Sequence, residues 1–193
     1  MSGCRASKLA AGEKHTCALL RGGEVKCWGY GFYGALASDD RNHLGDADGE
    51  MGEALGAVAL NGTATAIAAG QDHTCALLET GEVKCWGRGD SGQLGQDGAS
   101  NKGDYPAGMD PPREMASVRA VELGGVAVAV VAGGSHTCAL LETGAVKCWG
   151  GAAYGQLGLG EVEARGDAAG EMRNLTAVDL GAGRTASALA AGE

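Results

Sequence analysis

With 193 residues, 36 of them glycine and only one Phe, the chain is long enough for one or two domains but poor in the large side chains of an ordinary core. Acidic residues outnumber basic ones 24 to 15, for a formal charge of −9, and there is no basic run of five or more, so an extended nucleic-acid-binding surface is not expected. The glycines follow no collagen-like period, no apolar run reaches membrane-spanning length, and no cofactor motif is present.

In chain order, Met1 to Lys14 lacks the apolar core of a secretory signal. The first recurring stretch follows, His15 to Gly29, reading HTCALLRGGEVKCWG. It returns as HTCALLETGEVKCWG from His73 to Gly87 and as HTCALLETGAVKCWG from His136 to Gly150. Self-similarity at a period of about 60 residues marks a stacked or radial repeat protein. Each stretch reads as a β-hairpin: Cys75 to Leu78 and Glu82 to Trp86 flank Glu79-Thr80-Gly81, and Gly at the third loop position suits a type I turn closed by a left-handed residue. That loop sets Leu78 opposite Glu82, Leu77 opposite Val83, Ala76 opposite Lys84 and Cys75 opposite Cys85. A two-residue loop would slip the register and force Thr80 to positive φ. Directly opposed cysteines lie near disulfide distance, so bridges are expected at Cys17–Cys27, Cys75–Cys85 and Cys138–Cys148, leaving Cys4 over.

The intervening segments extend each hairpin to four strand-like runs. In the second unit these are Ala57–Leu60, Ala64–Ala69, Thr74–Leu78 and Glu82–Trp86; in the third, Ala120–Leu123, Val126–Ala132, Thr137–Leu141 and Ala145–Trp149. A fourth unit opens with Ala177–Leu180 and Ala186–Ala191. The fold class is therefore all-β, with propeller blades of four antiparallel strands, about three of them. The units are 1–29, 57–87, 120–150 and 177–193, joined by long loops 30–56, 88–119 and 151–176. Ala66, Ala68 and Ala69 suit an innermost strand near a crowded axis. The loops share a Gly-Asp pattern ending in Met51, Met109 and Met172, yet they differ most between copies, so a partner surface is expected there.

These motifs resemble the regulator of chromosome condensation repeat family. The resemblance is carried by Ala-Gly-x-x-His-Thr at Ala11–Thr16, Ala69–Thr74 and Ala132–Thr137, by the Gly-x-Val-x-x-Trp-Gly strands, and by Gly-Gln-Leu-Gly at Gly92–Gly95 and Gly155–Gly158. The first unit departs, with Gly34-Ala35-Leu36-Ala37 in place of that turn. The resemblance implies seven-bladed propellers, so three repeats would leave open edges, and either missing blades or self-association is expected. The repeat phase looks cut at Lys8–Glu13 and at Ala188–Glu193, from which a longer parent protein is expected; paired cysteines point to an oxidising or extracellular compartment.

Sharper chemistries weigh less. His73 with Cys75 and Cys85 supplies three zinc-type ligands but no recurring fourth, so disulfide ranks above reduced packing thiols and both above metal. His15, His73 and His136 read as structural hydrogen-bonders at blade junctions, since no nucleophile or carboxylate recurs with them, and no catalytic residue is assigned. Trp28, Trp86 and Trp149 read as core rather than as a light-sensing cluster. Asp46-Ala47-Asp48-Gly49-Glu50 is only faintly like a calcium loop and is taken as solvated. Asn61-Gly62-Thr63 and Asn174-Leu175-Thr176 are glycosylation sequons, the first equally good as a hairpin turn, and the Arg-Gly-Asp triplets at Arg88 and Arg165 are taken as accidents. The leading expectation is a non-enzymatic module with a protein partner and no nucleic acid. Nucleotide exchange on a small GTPase and inhibition of a secreted hydrolase follow as what the resemblance implies.

Overall fold

The computed structural model describes residues 5–104 and 114–192, so Cys4 and the Tyr105–Met109 part of the second loop lie outside the described residues. Among the described residues nine strands form three antiparallel sheets. The first holds β1 (Ala6–Ala11), β2 (His15–Leu20) and β3 (Val25–Gly29); the second β4 (Ala64–Ala69), β5 (His73–Leu78) and β6 (Val83–Gly87); the third β7 (Ala127–Ala132), β8 (His136–Leu141) and β9 (Val146–Gly150). A short helix, α1 (Glu114–Ser117), lies in the second long loop. Among the described residues no helix is long and apolar enough to cross a membrane.

Each hairpin takes the register its loop dictates. Gly81 adopts φ 79°, Leu78 N–H donates to Glu82 O at 2.9 Å, and Leu77, Ala76 and Cys75 then pair with Val83, Lys84 and Cys85. Val83 O is taken from the outer side by Val121 N–H at 2.8 Å, so by alternation Cys75 and Cys85 form a pair whose peptide groups turn away from each other. Opposed side chains approach closest at such pairs. All three cysteine pairs are bonded, with Cα atoms 4.1 Å apart. Because Cys75 and Cys85 are bonded to each other, neither offers a thiolate to a metal.

The first run of the second, third and fourth units bonds to the preceding blade and not to the one its sequence order suggests. Val58 N–H donates to Val25 O, Val121 to Val83 O and Val178 to Val146 O, each at 2.8 Å. The runs at 57–60, 120–123 and 177–180 therefore flank the last strand of the preceding hairpin, each hooked on by that bond rather than by a full ladder. Asn61-Gly62 does bend the chain, with Asn61 at φ 52°, but it joins a run bonded to Val25 O to β4 of the second sheet, so it makes no hairpin. Each first strand carries a bulge between its first and third residues. At Ser7 and Thr65 the extra residue's hydroxyl donates to the carbonyl of Leu19 or Leu77.

The core lies between the sheets. Cys75, Leu77, Val83 and Cys85 alternate to one face of the second sheet and pack with Ala139, Leu141 and Trp149 of the third. Ala76, Leu78 and Trp86 alternate to the other face and pack with Cys17, Leu19, Val25 and Cys27 of the first. A middle strand enclosed by blades on both sides is buried at every residue, as β5 is. The first two disulfides are thus both hairpin clamps and part of the wall against which the next blade's tryptophan packs. The long loops add lateral ties: Asp39 and Asp97, both at positive φ, accept from Met115 N–H at 3.1 Å and Met172 N–H at 2.9 Å. Met115 is buried as Met172 is, and it stands beside Gly103 as Met172 stands beside Gly166. It occupies the place that the loop pattern gives to Met109.

Candidate functional site

The recurring histidines, threonines and tryptophans converge at the blade junctions. Thr74 Oγ1 donates to Ala35 O at 3.1 Å, so its oxygen accepts from His15 Nε2, 2.9 Å away, and the ring carries its proton on Nε2. Trp86 Nε1 donates to the same Ala35 carbonyl at 2.9 Å. One junction on, His73 Nε2 meets Thr137 Oγ1 at 2.9 Å, and Thr137 Oγ1 and Trp149 Nε1 donate to Gln93 O at 2.9 and 3.0 Å. Each relay joins a histidine of one blade, the threonine and tryptophan of the next, and a turn carbonyl between them. The carbonyl is a backbone atom, so Gly34-Ala35-Leu36-Ala37 serves as well as Gly-Gln-Leu-Gly. What Ala35 lacks is the side chain that in Gln93 and Gln156 accepts from Ser91 and Tyr154 N–H. The glycine three residues before each histidine is required by space: a Cβ on Gly70 would lie 2.2 Å from His73 Cε1 and 2.3 Å from Gly133 O.

Burial holds the junction histidines neutral, His73 down to about 3 and His15 to about 4, with His136 also lowered. Above pH 6.5 the folded and unfolded chains are both neutral at these rings, and the stabilisation is complete. As pH falls below 6.5 the unfolded chain takes up protons that the folded chain excludes. Stability should then drop by about 1.4 kcal/mol per pH unit for each such ring until its folded pKa is reached. Urea midpoints are expected to be flat from pH 8 to 7 and to fall steeply between pH 6.5 and 4.5, with His73→Gln shallower than wild type. A midpoint unchanged over that window would contradict the buried neutral rings.

The junctions open onto one face, where the ends of β3, β6 and β9 meet the turns between first and second strands. Tyr30, Arg88 and Gly151 N–H donate to Lys14, Asp72 and Ser135 O at 2.8 to 2.9 Å. At equivalent positions there the copies carry Phe32, Asp90 and Ala153, and Tyr33, Ser91 and Tyr154, so the first copy alone has an aromatic at both. Tyr30, Phe32 and Tyr33 form a cluster, with Tyr33 edge-on to Phe32 at 5.1 Å and Tyr30 near His43 at 4.7 Å. Cations cover the rings, Arg88 over Tyr33 at 5.1 Å, Arg41 over Phe32 at 5.4 Å and Lys14 over Tyr30 at 5.7 Å. Carboxylates hold the cations in turn: Arg88 bonds Asp90 at 2.7 Å and lies 3.5 Å from Asp72, and Arg41 bonds Asp104 at 3.0 Å. Burial pushes the Asp72 carboxyl up against the pull of Arg88, whereas at Asp90 burial is outweighed and Arg88 holds the pKa below the usual range. Beside the patch a hollow of about 200 Å³ is lined by Gln71, Asp72, Arg88, Asp90, Ser91 and Gln93. Phe32 is 44% exposed and Tyr154 94%.

Sequence reasoning pointed to these loops but not to this patch, although three of the chain's five Phe and Tyr residues fall between positions 30 and 33. The Arg88-Gly89-Asp90 triplet is closed on itself by its own ion pair. In the acidic loop, Glu50 Oε2 accepts from Gly45, Asp46 and Ala47 N–H, a use repeated by Glu171 with Gly166, Asp167 and Ala168. Asn61 and Asn174 are both exposed.

Known proteins share this architecture. The chain is 34% identical over 164 residues to the ultraviolet-B receptor UVR8 of Arabidopsis thaliana, covering 83% of this chain and 33% of that one. It is 36% identical over 157 residues to the mouse secretion-regulating guanine nucleotide exchange factor, covering 78% and 30%. Among solved structures it superposes on yeast RCC1 (Prp20), seen bound to Kap60, with a TM-score of 0.66 at 24% identity, covering 90% of this chain and 37% of that one. The chain thus spans about a third of the length of each. The regulator of chromosome condensation (RCC1) repeat signature matches residues 6–35, 64–93 and 127–156, and a second form of it matches 80–140. With fold and sequence in agreement, the chain belongs to the regulator of chromosome condensation (RCC1) repeat family.

Proposed function

We propose that this chain is a non-enzymatic protein-interaction module, and that the aromatic and arginine patch at Tyr30, Phe32, Tyr33, Arg41 and Arg88 is its contact face. The observation that carries the reading is a division of labour among the copies. Residues common to the copies are engaged with one another at the two junctions, whereas the open face is lined by positions that vary between copies and are aromatic at both only in the first. Aromatic and arginine side chains held rigid by mutual stacking lose little entropy when a partner covers them, and these residue types dominate the energetics of protein interfaces. The acidic groups around Arg88 and Arg41 preset the guanidinium positions and suit a partner carrying both charges.

A set of alanine variants tests this. Phe32→Ala and Arg88→Ala are expected to leave the melting midpoint within a few degrees of wild type while each weakens partner capture by roughly 30-fold, the loss expected for a central anchor. Capture unaffected by either variant would remove the patch from the interface. A second reading, nucleotide exchange on a small GTPase, is favoured by the similarity to the mouse exchange factor. Nucleotide release measured across a panel of GTPases separates the two, because a simple binding module leaves the release rate unchanged.

A further inference from the structure

The residues that follow each hairpin decide whether its junction is filled or hollow. After Gly29 the first copy places Tyr30, Phe32 and Tyr33, whose rings pack together; after Gly87 the second copy has Arg88, Asp90 and Ser91 in those places. The smaller, polar side chains leave open the space of about 200 Å³ between the second and third blades. Gln71, Asp72, Arg88 and Ser91 line it from one side and Gly134 and Ser135 from the other.

Hydrogen bonding on these walls is uneven. Arg88 gives Nε and Nη2 to Asp90 Oδ2 at 2.9 and 2.7 Å, and Ser91 Oγ donates to Asp90 Oδ1 at 3.3 Å, so that carboxylate is well supplied. Asp72 has only Arg88 Nη1, 3.5 Å from Oδ2, although its side chain is just 12% exposed. Among the described residues nothing donates to Asp72 Oδ1, to the Ser135 hydroxyl or to the side-chain carbonyl of Gln71. Burial pushes the Asp72 carboxyl up in spite of Arg88. Two carboxylates thus share one guanidinium, and the nearby Lys14 is paired with Glu13 at 3.2 Å.

We propose that this hollow receives the ammonium group of a lysine side chain presented by the protein partner. On the reading that the adjoining patch is the contact face, on which this depends, the hollow sits within the contact: Arg88 lies over Tyr33 and also lines the hollow. The open oxygen of Asp72, the Ser135 hydroxyl and the Gln71 carbonyl are three acceptors, matching the three N–H donors of an ammonium. A guanidinium would need both Asp72 oxygens for its paired N–H groups, and Oδ2 already faces Arg88. A metal ion would need more oxygen ligands than one open carboxylate supplies. Entry of a single positive charge gives Asp72 the counter-charge that Arg88 divides between two carboxylates.

Amide NMR shifts of the purified chain test this, with N-acetyl-lysine-N-methylamide as the probe and its norleucine and arginine analogues as comparisons. The lysine probe is expected to move the Asp72 and Ser135 amide signals with a dissociation constant on the order of millimolar, and the arginine analogue to bind roughly threefold more weakly. The norleucine analogue, with the same stem and no charge, should move neither signal. Asp72→Asn should weaken the lysine probe by about 10-fold, and because burial already disfavours that charge, the amide should leave the fold intact. Ser135→Ala removes an acceptor without touching an ion pair and should weaken the probe by about threefold. Equal shifts from norleucine, or lysine binding that survives both substitutions, would overturn the proposal, and tighter binding of the arginine analogue would overturn the choice of ammonium. The probe needs no partner, so this result stands or falls separately from the Phe32→Ala capture test of the patch.

Discussion

Reduction of the three disulfides is expected to destabilise the chain by about 8 kcal/mol, enough to unfold it near room temperature. Each bridge spans ten residues, and closing a loop of that size in the unfolded chain is worth about 2.7 kcal/mol. The bridges lie in separate sheets, so their contributions should add. The sum falls within the whole stability of a typical domain, about 5 to 15 kcal/mol. The effect should exceed a pure loop-closure term, because the sulfurs at Cys75 and Cys85 also belong to the packed wall between the second and third blades. A thermal melt in dithiothreitol followed by circular dichroism measures it, and the double variant Cys75→Ala, Cys85→Ala should show about a third of the loss. A reduced chain that melts within a few degrees of the oxidised one would mean that the hairpins are held by packing alone.

The second large effect is expected at Gly70, where alanine should cost about 3 kcal/mol or more and lower the melting midpoint by roughly 10 °C. The added methyl meets a histidine ring on one side and the backbone of the neighbouring blade on the other, so neither neighbour yields without opening the junction. Thr137→Val probes the same junction by chemistry instead of volume. It leaves His73 Nε2–H buried without an acceptor and takes one of two donors from Gln93 O, a loss of about 1 to 3 kcal/mol. Gly98→Ala serves as the control, since nothing lies within 4 Å of the added methyl and the backbone there is not left-handed. Equal effects at Gly70 and Gly98 would show that the close ring contact has no energetic weight.

What the sequence made legible was local. A three-residue loop ending in glycine fixes a register, and alternation then decides which side chains oppose, so Cys75 and Cys85 could be paired on paper. The alanine-rich strands that converge between sheets were legible for the same reason. Ownership of the outer runs was not, because Val58 pairs with Val25 across a long loop and nothing local names that partner. Likewise Met115 takes the place that a loop pattern gives to Met109, since an insertion shifts spacing without changing the pocket beside Gly103. The histidine relays were half legible: the role at blade junctions could be inferred from recurrence, but the acceptor is a threonine in the next repeat and its own acceptor a turn carbonyl in between. The aromatic patch escaped because no repeat marks it, and its residues come together only where Arg41 and Arg88 arrive from separate segments.

The structure rests on three equivalent ribbons, each locked by its own sulfur bridge and facing the next. Peptide mapping by mass spectrometry of the chain digested without reduction tests this most directly. The expected result is three linked peptide pairs, Cys17 with Cys27, Cys75 with Cys85 and Cys138 with Cys148. Free thiols at these positions, or a bridge between different copies, would contradict the register and with it the packing of every blade junction.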